Sequence, residues 1–413
     1  MIKYRISKPN TQLNGTISIP PTRSLSNKFL VIRVLQNAKL LQHTDTETEA
    51  QQIINKSIFD KGIKQTRGRS AQAIRHIRAF INFFGGEWIL SSSDILKGST
   101  TEKIARLLQK YGLNVIFEER VGNPPFRLIG KNLKGKILRV DGSINSKVIE
   151  ARMLVDPSLS YDEILELKNL ILARGYPQMT LRALQFMGVN ANWDENEILI
   201  EHTINDGTEL TVEADWSLAL YWYEAIALSG KGDITIQGLN PTSLQNEMAV
   251  ATIFNKLGVT TQIVDDNIRL QRKGKVVKQF SHNFRHYPDL APAIIFTCLG
   301  MEIPFIITGV ESFHQKEPDR LEAITKQFEK LGASLQVYHN GDEEVIEFNG
   351  KWKGKSRKEF ECDSLDDHRL AMSLVPLTLL GKTITLENPR ITSKSYTTFW
   401  DEIRKVGFEF TII

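Results

Sequence analysis

Apolar positions recur at helical spacing and then stop at a glycine six times along the chain. The endings are Asp60-Lys61-Gly62-Ile63, Lys110-Tyr111-Gly112-Leu113, Phe186-Met187-Gly188-Val189, Lys256-Leu257-Gly258-Val259, Lys330-Leu331-Gly332-Ala333 and Lys405-Val406-Gly407-Phe408. Glycine is the usual residue for the left-handed position just past a helix. The leading segments carry the matching apolar stripe, as in Ile324, Phe328 and Leu331. A short apolar run after each glycine predicts a strand, and further strands are predicted at Gly232–Ile236 and Thr383–Leu386. The glycines lie 50 to 76 residues apart, too far for a thin solenoid and about right for a βαβαββ unit. Single leucine-glycine helix ends are common in α/β proteins, but six at similar spacing favour a repeat. Six units predict an α/β protein with three units per domain.

Length supports that division, because 413 residues exceed one ordinary core. No Pro/Gly/Ser-rich linker marks a boundary. The crossover is placed near Glu213, where a polar stretch gives way to a helical one over Asp215–Ser229. An apolar share of 41% and a charged share of 24% are those of a globular chain. The longest apolar stretch, Ala293 to Ile307, contains Glu302 and Pro304, so no membrane span is expected. No apolar run follows Met1–Arg5, which predicts a cytoplasmic protein without a signal peptide. Cys298 and Cys362 are the only cysteines, too few for a disulfide framework and wrongly spaced for a metal site. A net charge of +4 argues against a nucleic-acid partner and is compatible with anionic small molecules.

Four clusters of chemically capable residues stand at predicted helix starts. They are Pro20-Pro21-Thr22-Arg23-Ser24-Leu25-Ser26-Asn27-Lys28, Lys316-Glu317-Pro318-Asp319-Arg320, Asp366-Asp367-His368-Arg369-Leu370-Ala371-Met372, and Ser393-Lys394-Ser395-Tyr396. Helix starts offer unpaired N–H groups and a positive dipole end, so basic residues there are unfavourable unless an anion sits in front. Each cluster also has a plain reading. Asp or Ser before an apolar run caps a helix, a charged run forms a solvated face, and His368 alone is a structural hydrogen-bonder. Trp222 and Phe254 are expected in the core.

In order, these clusters resemble the enolpyruvyl transferase family, and within it the 5-enolpyruvylshikimate-3-phosphate synthases. Leu13–Pro20 with Ser24-Leu25-Ser26-Asn27 resembles the opening motif, and Arg75 falls where the family keeps an arginine at the head of a helix. Asp141–Lys147 resembles the serine-serine-glutamine loop, and Gly175–Leu181 the segment of the substrate tyrosine. Val212–Ser217 resembles the start of the returning domain, and Tyr287–Ala291 the segment of the catalytic aspartate. The last three clusters, at 316–320, 366–372 and 393–396, are the most specific part of the match.

The resemblance implies a two-domain inside-out α/β barrel. Residues 1–18 and 214–413 would form one domain containing both termini, and 19–213 an inserted second domain, with the site in the cleft between them. It implies a monomer that joins phosphoenolpyruvate to the 5-hydroxyl of shikimate 3-phosphate and releases phosphate, with no metal or organic cofactor. Asp289 would deprotonate the hydroxyl, Glu317 would transfer a proton at carbon, and Lys394 and Arg23 would serve at the leaving phosphate. Arg320 and Arg369 would clamp phosphoenolpyruvate. Ser24, Lys28, Arg75, Ser146, Lys147, Tyr176 and Lys316 would complete the substrate contacts.

Several positions depart from the family pattern. Arg23 replaces a lysine, Lys28 an arginine and Ala71 a glycine. An arginine-proline stands as Ser99-Thr100, serine-serine-glutamine as Asn145-Ser146-Lys147, and a serine as Ala173. The departures fall in the N-terminal half of the set. They leave open an enolpyruvyl transferase acting on another acceptor and a non-catalytic binding protein on the same fold. The UDP-N-acetylglucosamine version is disfavoured, because its reactive cysteine lies in the other domain.

Overall fold

The computed structural model describes residues 2–36, 64–68, 87–92, 114–117, 126–129, 137–141, 146–155, 163–168, 171, 173–201 and 212–413 except 317 and 342. The chain divides into two compact units. One comprises Met1–Arg23, Leu172–Gly175 and Val212–Ile413, the other Ser24–Ile171 and Tyr176–Thr211.

The first unit repeats one pattern three times. Strand Phe280–Asn283, helix Ala291–Met301, strand Phe305–Thr308, helix Arg320–Lys330 and strands Gln336–Asn340 and Glu343–Phe348 follow in order. The first two strands are parallel, as a helical crossover requires, and the last strand pairs antiparallel with both the second and the third. In the next sheet, Glu359–Asp363, Thr383–Glu387 and Glu409–Ile412 leave the fourth place to Lys3–Ser7. In the third sheet, Leu13–Ser18 supplies the first strand, parallel to Gly232–Gln237, with Asn267–Val276 and Leu257–Val264 beyond. Two N-terminal strands therefore complete sheets built from distant sequence.

The second unit carries the same strand order in two sheets. One holds Lys64–Gly68, Glu87–Ser92, Phe126–Ile129 and Asn114–Phe117. The other holds Ile137–Asp141, Glu163–Lys168, Glu197–Ile200 and Ala191–Asp194. All five sheets are open and four-stranded, and none closes into a barrel among the described residues.

The core of the first unit is helical. Trp216–Ser229 is buried along its whole length, including Trp222. A helix apolar on every side has to be central. Ala291–Met301 and the short helix Val375–Leu380 pack against it. Helix Arg320–Lys330 differs, burying only Arg320, Leu321, Ala323, Ile324, Gln327 and Phe328 along one stripe. Four of the predicted helix-ending glycines, Gly188, Gly258, Gly332 and Gly407, have φ between +78° and +86°. Gly62 and Gly112 lie outside the described residues. No described helix is long and apolar enough to cross a membrane.

Candidate active site

Helix starts of the first unit bring the clusters at 316–320 and 366–372 together around Asp289. Asp289 lies in the turn Pro288–Leu290, immediately ahead of helix Ala291–Met301. Arg320 is the first residue of its helix, whose start Asp319 caps by accepting from the Leu321 and Glu322 N–H groups. Asp367 caps helix His368–Leu374 by accepting from the N–H groups of Arg369 and Leu370. Asp215 caps Trp216–Ser229 by accepting from the Ser217 N–H. An aspartate directly before an apolar helical run is the signal that made these starts legible.

Arg320 is the hub. Its Nη1 donates to Asp289 Oδ1 at 2.6 Å, and its Nε donates to Asp367 Oδ2 at 2.5 Å. Arg320, Asp289 and Asp367 are all buried, and the guanidinium also lies over the Phe313 ring, 5.6 Å from its centroid. Arg369 Nη2 lies 3.2 Å from Asp289 Oδ2, and Lys316 Nζ lies 3.6 Å from Asp289 Oδ1. Asp289 is thus shared by three cationic side chains. Burial pushes the Asp367 carboxyl up, but the Arg320 guanidinium outweighs it and holds the group at about 2. Burial, and then the Arg369 charge, lower the neighbouring His368 to about 3, so its imidazole is neutral at pH 7. The two carboxylates fix the guanidinium groups, and among the described residues in direct contact there, three cationic side chains, Lys316, Arg320 and Arg369, meet two carboxylates, Asp289 and Asp367. That is the charge pattern of a site for an anion.

Arg23 and Lys394 also meet. Arg23 Nη1 donates to the Lys394 carbonyl oxygen at 2.9 Å. Arg23 is placed by the chain just before it, where the Thr22 N–H donates to the Glu213 carbonyl and the Asp215 N–H donates to the Pro20 carbonyl. Lys394 ends the short helix Pro389–Lys394, before helix Phe399–Lys405, rather than opening a helix as its cluster predicted.

In the second unit, Lys28 Nζ lies 2.5 Å from Glu150 Oε2 and donates to Ser24 Oγ at 3.2 Å. Lys28 and Glu150 are each 1% exposed, so the Lys28 charge is committed to a buried ion pair. Ser146 is buried at the start of helix Ser146–Val155, which also holds Lys147. Tyr176 is half-buried in the first turn of helix Gly175–Phe186. Ala173 takes a left-handed backbone at φ +54°. Arg75, Glu317, Ala71, Ser99, Thr100 and Asn145 lie outside the described residues, as does the Lys147 side chain.

Sequence reasoning missed a group of carboxylates beside the Asp289 cluster. Burial raises Glu247 to about 7, helped by the Asp215 charge, and the Asp289 and Arg369 charges also reach it. Burial likewise raises Asp215, against the Ser217 hydrogen bond and the Arg369 charge. Glu213 Oε1 accepts from Ser243 Oγ at 2.6 Å and from Gln245 Nε2 at 3.1 Å. Gln245 Oε1 in turn accepts from the Trp216 N–H at 3.0 Å. Asn246 Nδ2 donates to the Gly175 carbonyl at 2.6 Å, and a Cβ at Gly175 would lie 1.7 Å from the His286 carbonyl oxygen. Gly175 is therefore a close-approach glycine that seats the chain leading into Asp289.

The family model described as EPSP synthase (3-phosphoshikimate 1-carboxyvinyltransferase) matches residues 31–403. The 3-phosphoshikimate 1-carboxyvinyltransferase of Bacteroides fragilis strain YCH46 is 29% identical over 98% of this chain and 98% of its own. That of Sulfurovum sp. strain NBC37-1 is 25% identical over 97% of this chain and 98% of its own. A solved EPSP synthase from Acinetobacter baumannii shares the fold at a TM-score of 0.73 and 18% identity, covering 100% of both chains. The chain belongs to the EPSP synthase (3-phosphoshikimate 1-carboxyvinyltransferase) family.

Proposed function

We propose that this protein transfers the enolpyruvyl group of phosphoenolpyruvate to the 5-hydroxyl of shikimate 3-phosphate and releases phosphate, as a monomer in the cytoplasm. The observation that carries the reading is the Asp289 carboxylate shared by Arg320, Arg369 and Lys316. Addition of the hydroxyl to the enol carbon of phosphoenolpyruvate needs a base at the hydroxyl, an acid at the methylene carbon and cations for carboxylate and phosphate, and the tetrahedral adduct then loses phosphate and a proton from the new methyl group to give the enolpyruvyl ether. Asp289 is the base, its reach set by the guanidinium groups that hold it. Arg320 and Arg369 bind phosphoenolpyruvate. Lys394 and Arg23, joined through the Lys394 carbonyl, serve at the departing phosphate. Glu317 supplies the proton at carbon, and Arg75, Ser24, Lys28, Ser146, Lys147, Tyr176 and Lys316 complete the contacts to the two substrates. The buried helices and outer four-stranded sheets of the first unit support the inside-out barrel. Phosphate release with both substrates tests the reading. No release at saturating substrates and high protein concentration would overturn it.

The Lys28–Glu150 pair favours a second reading, transfer to an acceptor other than shikimate 3-phosphate. A lysine neutralised inside the second unit contributes less to an anionic acceptor than a free cation would. Phosphate release with phosphoenolpyruvate and an uncharged polyol, at a rate above that with shikimate 3-phosphate, would select it.

A further inference from the structure

We infer that His314 is a positioning residue for Arg320: as an imidazolium it ties the cap of the Arg320 helix to a buried carboxylate on the neighbouring strand, and the tie loosens when the ring loses a proton. The inference rests on the proposed role of Arg320 as a substrate-binding cation.

His314 lies in the turn Glu311–Gln315, just ahead of that helix. Its Nδ1 is 2.5 Å from Asp319 Oδ2, and its Nε2 is 2.9 Å from Glu344 Oε1. A neutral imidazole carries one N–H and can donate to only one of these carboxylates, so both contacts are satisfied only by the doubly protonated ring. Asp319 uses its other oxygen, Oδ1, to accept from the Leu321 and Glu322 N–H groups at 2.9 and 3.2 Å. One carboxylate therefore fixes the helix start and meets the histidine, and the next residue is Arg320. Glu344 is only 4% exposed, so losing a cationic partner leaves a buried charge poorly compensated.

Other charged groups nearby are engaged elsewhere. Lys316 pairs with Asp289, Glu343 with Arg285 and Glu322 with Lys326, while Glu311 lies on the same turn as His314. Among the described residues, Asp319 and Glu344 are the groups that face the ring. The hydrogen bond to Glu344, and then that to Asp319, raise the ring above its ordinary value of 6.5 against partial burial. A raised histidine contributes its stabilisation in full below the unfolded value and loses it as pH rises through the folded one. The tie is therefore present in full below the ordinary value of 6.5 and fades as pH rises through the raised value of the folded ring.

The test compares the full-length protein with His314→Arg and His314→Gln, following kcat/KM for phosphoenolpyruvate from pH 6 to 9. Arginine is a permanent fork able to span two carboxylates, whereas glutamine is neutral. The wild type should lose about threefold to tenfold in kcat/KM across its alkaline limb, the size of a lost helix cap, and the loss should lie in KM. His314→Arg should keep the activity and lack that limb. His314→Gln should be low already at pH 6. An identical limb in all three proteins, or wild-type activity for His314→Gln at pH 6, overturns the inference. Proton NMR titration of the imidazole gives a readout independent of turnover. His314 should titrate above 6.5 and fall in Glu344→Gln. If no protein releases phosphate but this titration holds, the tie stands and the enolpyruvyl reading falls. Titration at the ordinary value overturns the tie itself.

Discussion

Arg320 donates to Asp289 at 2.6 Å from a guanidinium that is itself fixed by Asp367, so the proposed base and a proposed substrate cation form one buried unit. Each needs the other. An arginine at the first turn of a helix opposes the dipole, and a carboxylate with 6% exposure is costly without a partner.

Removing the hub should therefore harm folding as well as activity. Arg320→Ala leaves Asp289 and Asp367 without their shared guanidinium. A loss of about 3–5 kcal/mol of stability is expected, as for other broken buried pairs. Arg320→Lys should recover only part of it, because one ammonium cannot span both carboxylates in the plane of a guanidinium. Urea unfolding of the three proteins checks the order, and equal midpoints would show that the hub contributes nothing.

Much of this arrangement was legible because its causes are local. Asp319 and Asp367 precede apolar helical runs and cap them, and the glycines at 188, 332 and 407 take the left-handed backbone just past a helix, whereas Gly258 has its positive φ inside strand Leu257–Val264. The family resemblance supplied the order of the clusters and the roles proposed for Asp289, Arg320 and Arg369. What stayed hidden depends on chain pairing. Nothing near Lys28 announces Glu150, 122 positions away. The resemblance implied that residues 1–18 belong with 214–413, but nothing in Lys3–Ser7 says that it lies between Thr383–Glu387 and Glu409–Ile412. Glu247 looks like an ordinary surface acid in sequence, and only burial beside Asp215 makes it titrate near neutrality.

Glu224 should make the protein less stable as pH rises above the ordinary carboxylate range. It is fully buried in helix Trp216–Ser229, and neither carboxylate oxygen has a hydrogen-bond partner among the described residues. Burial raises it well above 4.5. The native state then keeps a proton that the unfolded chain releases, so stability declines from pH 4.5 upward until the folded group itself ionises. Glu224→Met should remove this slope and raise stability at pH 8 by about 1–3 kcal/mol, the cost of an unpaired buried polar group. Denaturation midpoints of both proteins from pH 5 to 8 check it, and parallel curves would contradict it.

Gly175→Ala should lower kcat more than its size suggests. The new methyl carbon would lie 1.7 Å from the His286 carbonyl oxygen, a backbone atom that cannot swing aside. Something must shift, and His286 is three residues ahead of Asp289. Destabilisation of about 1–3 kcal/mol is expected from the overpacking. The phosphate-release rate should fall even at temperatures where the variant is fully folded. A full rate in folded Gly175→Ala would mean that the Asp289 turn tolerates displacement.

The Lys28–Glu150 pair separates a structural role from a substrate role. Both side chains are buried, so Glu150→Gln leaves an ammonium that must find another partner or lose its proton. If the pair is only structural, Glu150→Gln and Lys28→Met should each cost about 3–5 kcal/mol, and the double variant should cost much less than their sum. Neither should then change KM for the acceptor in the folded protein. If Lys28 also meets an anionic acceptor, the two single variants should part. Releasing the ammonium in Glu150→Gln should lower KM for shikimate 3-phosphate, while Lys28→Met should raise it. The Ser24 hydroxyl, which accepts from Lys28 at 3.2 Å, supplies a third variant. Ser24→Ala should shift the acceptor KM in the same direction as Lys28→Met if the group faces substrate. A double-mutant cycle on stability, with acceptor KM measured on the same four proteins, decides between the roles. Opposite KM shifts in the two single variants establish the substrate role, and unchanged KM values with strong coupling establish the structural one.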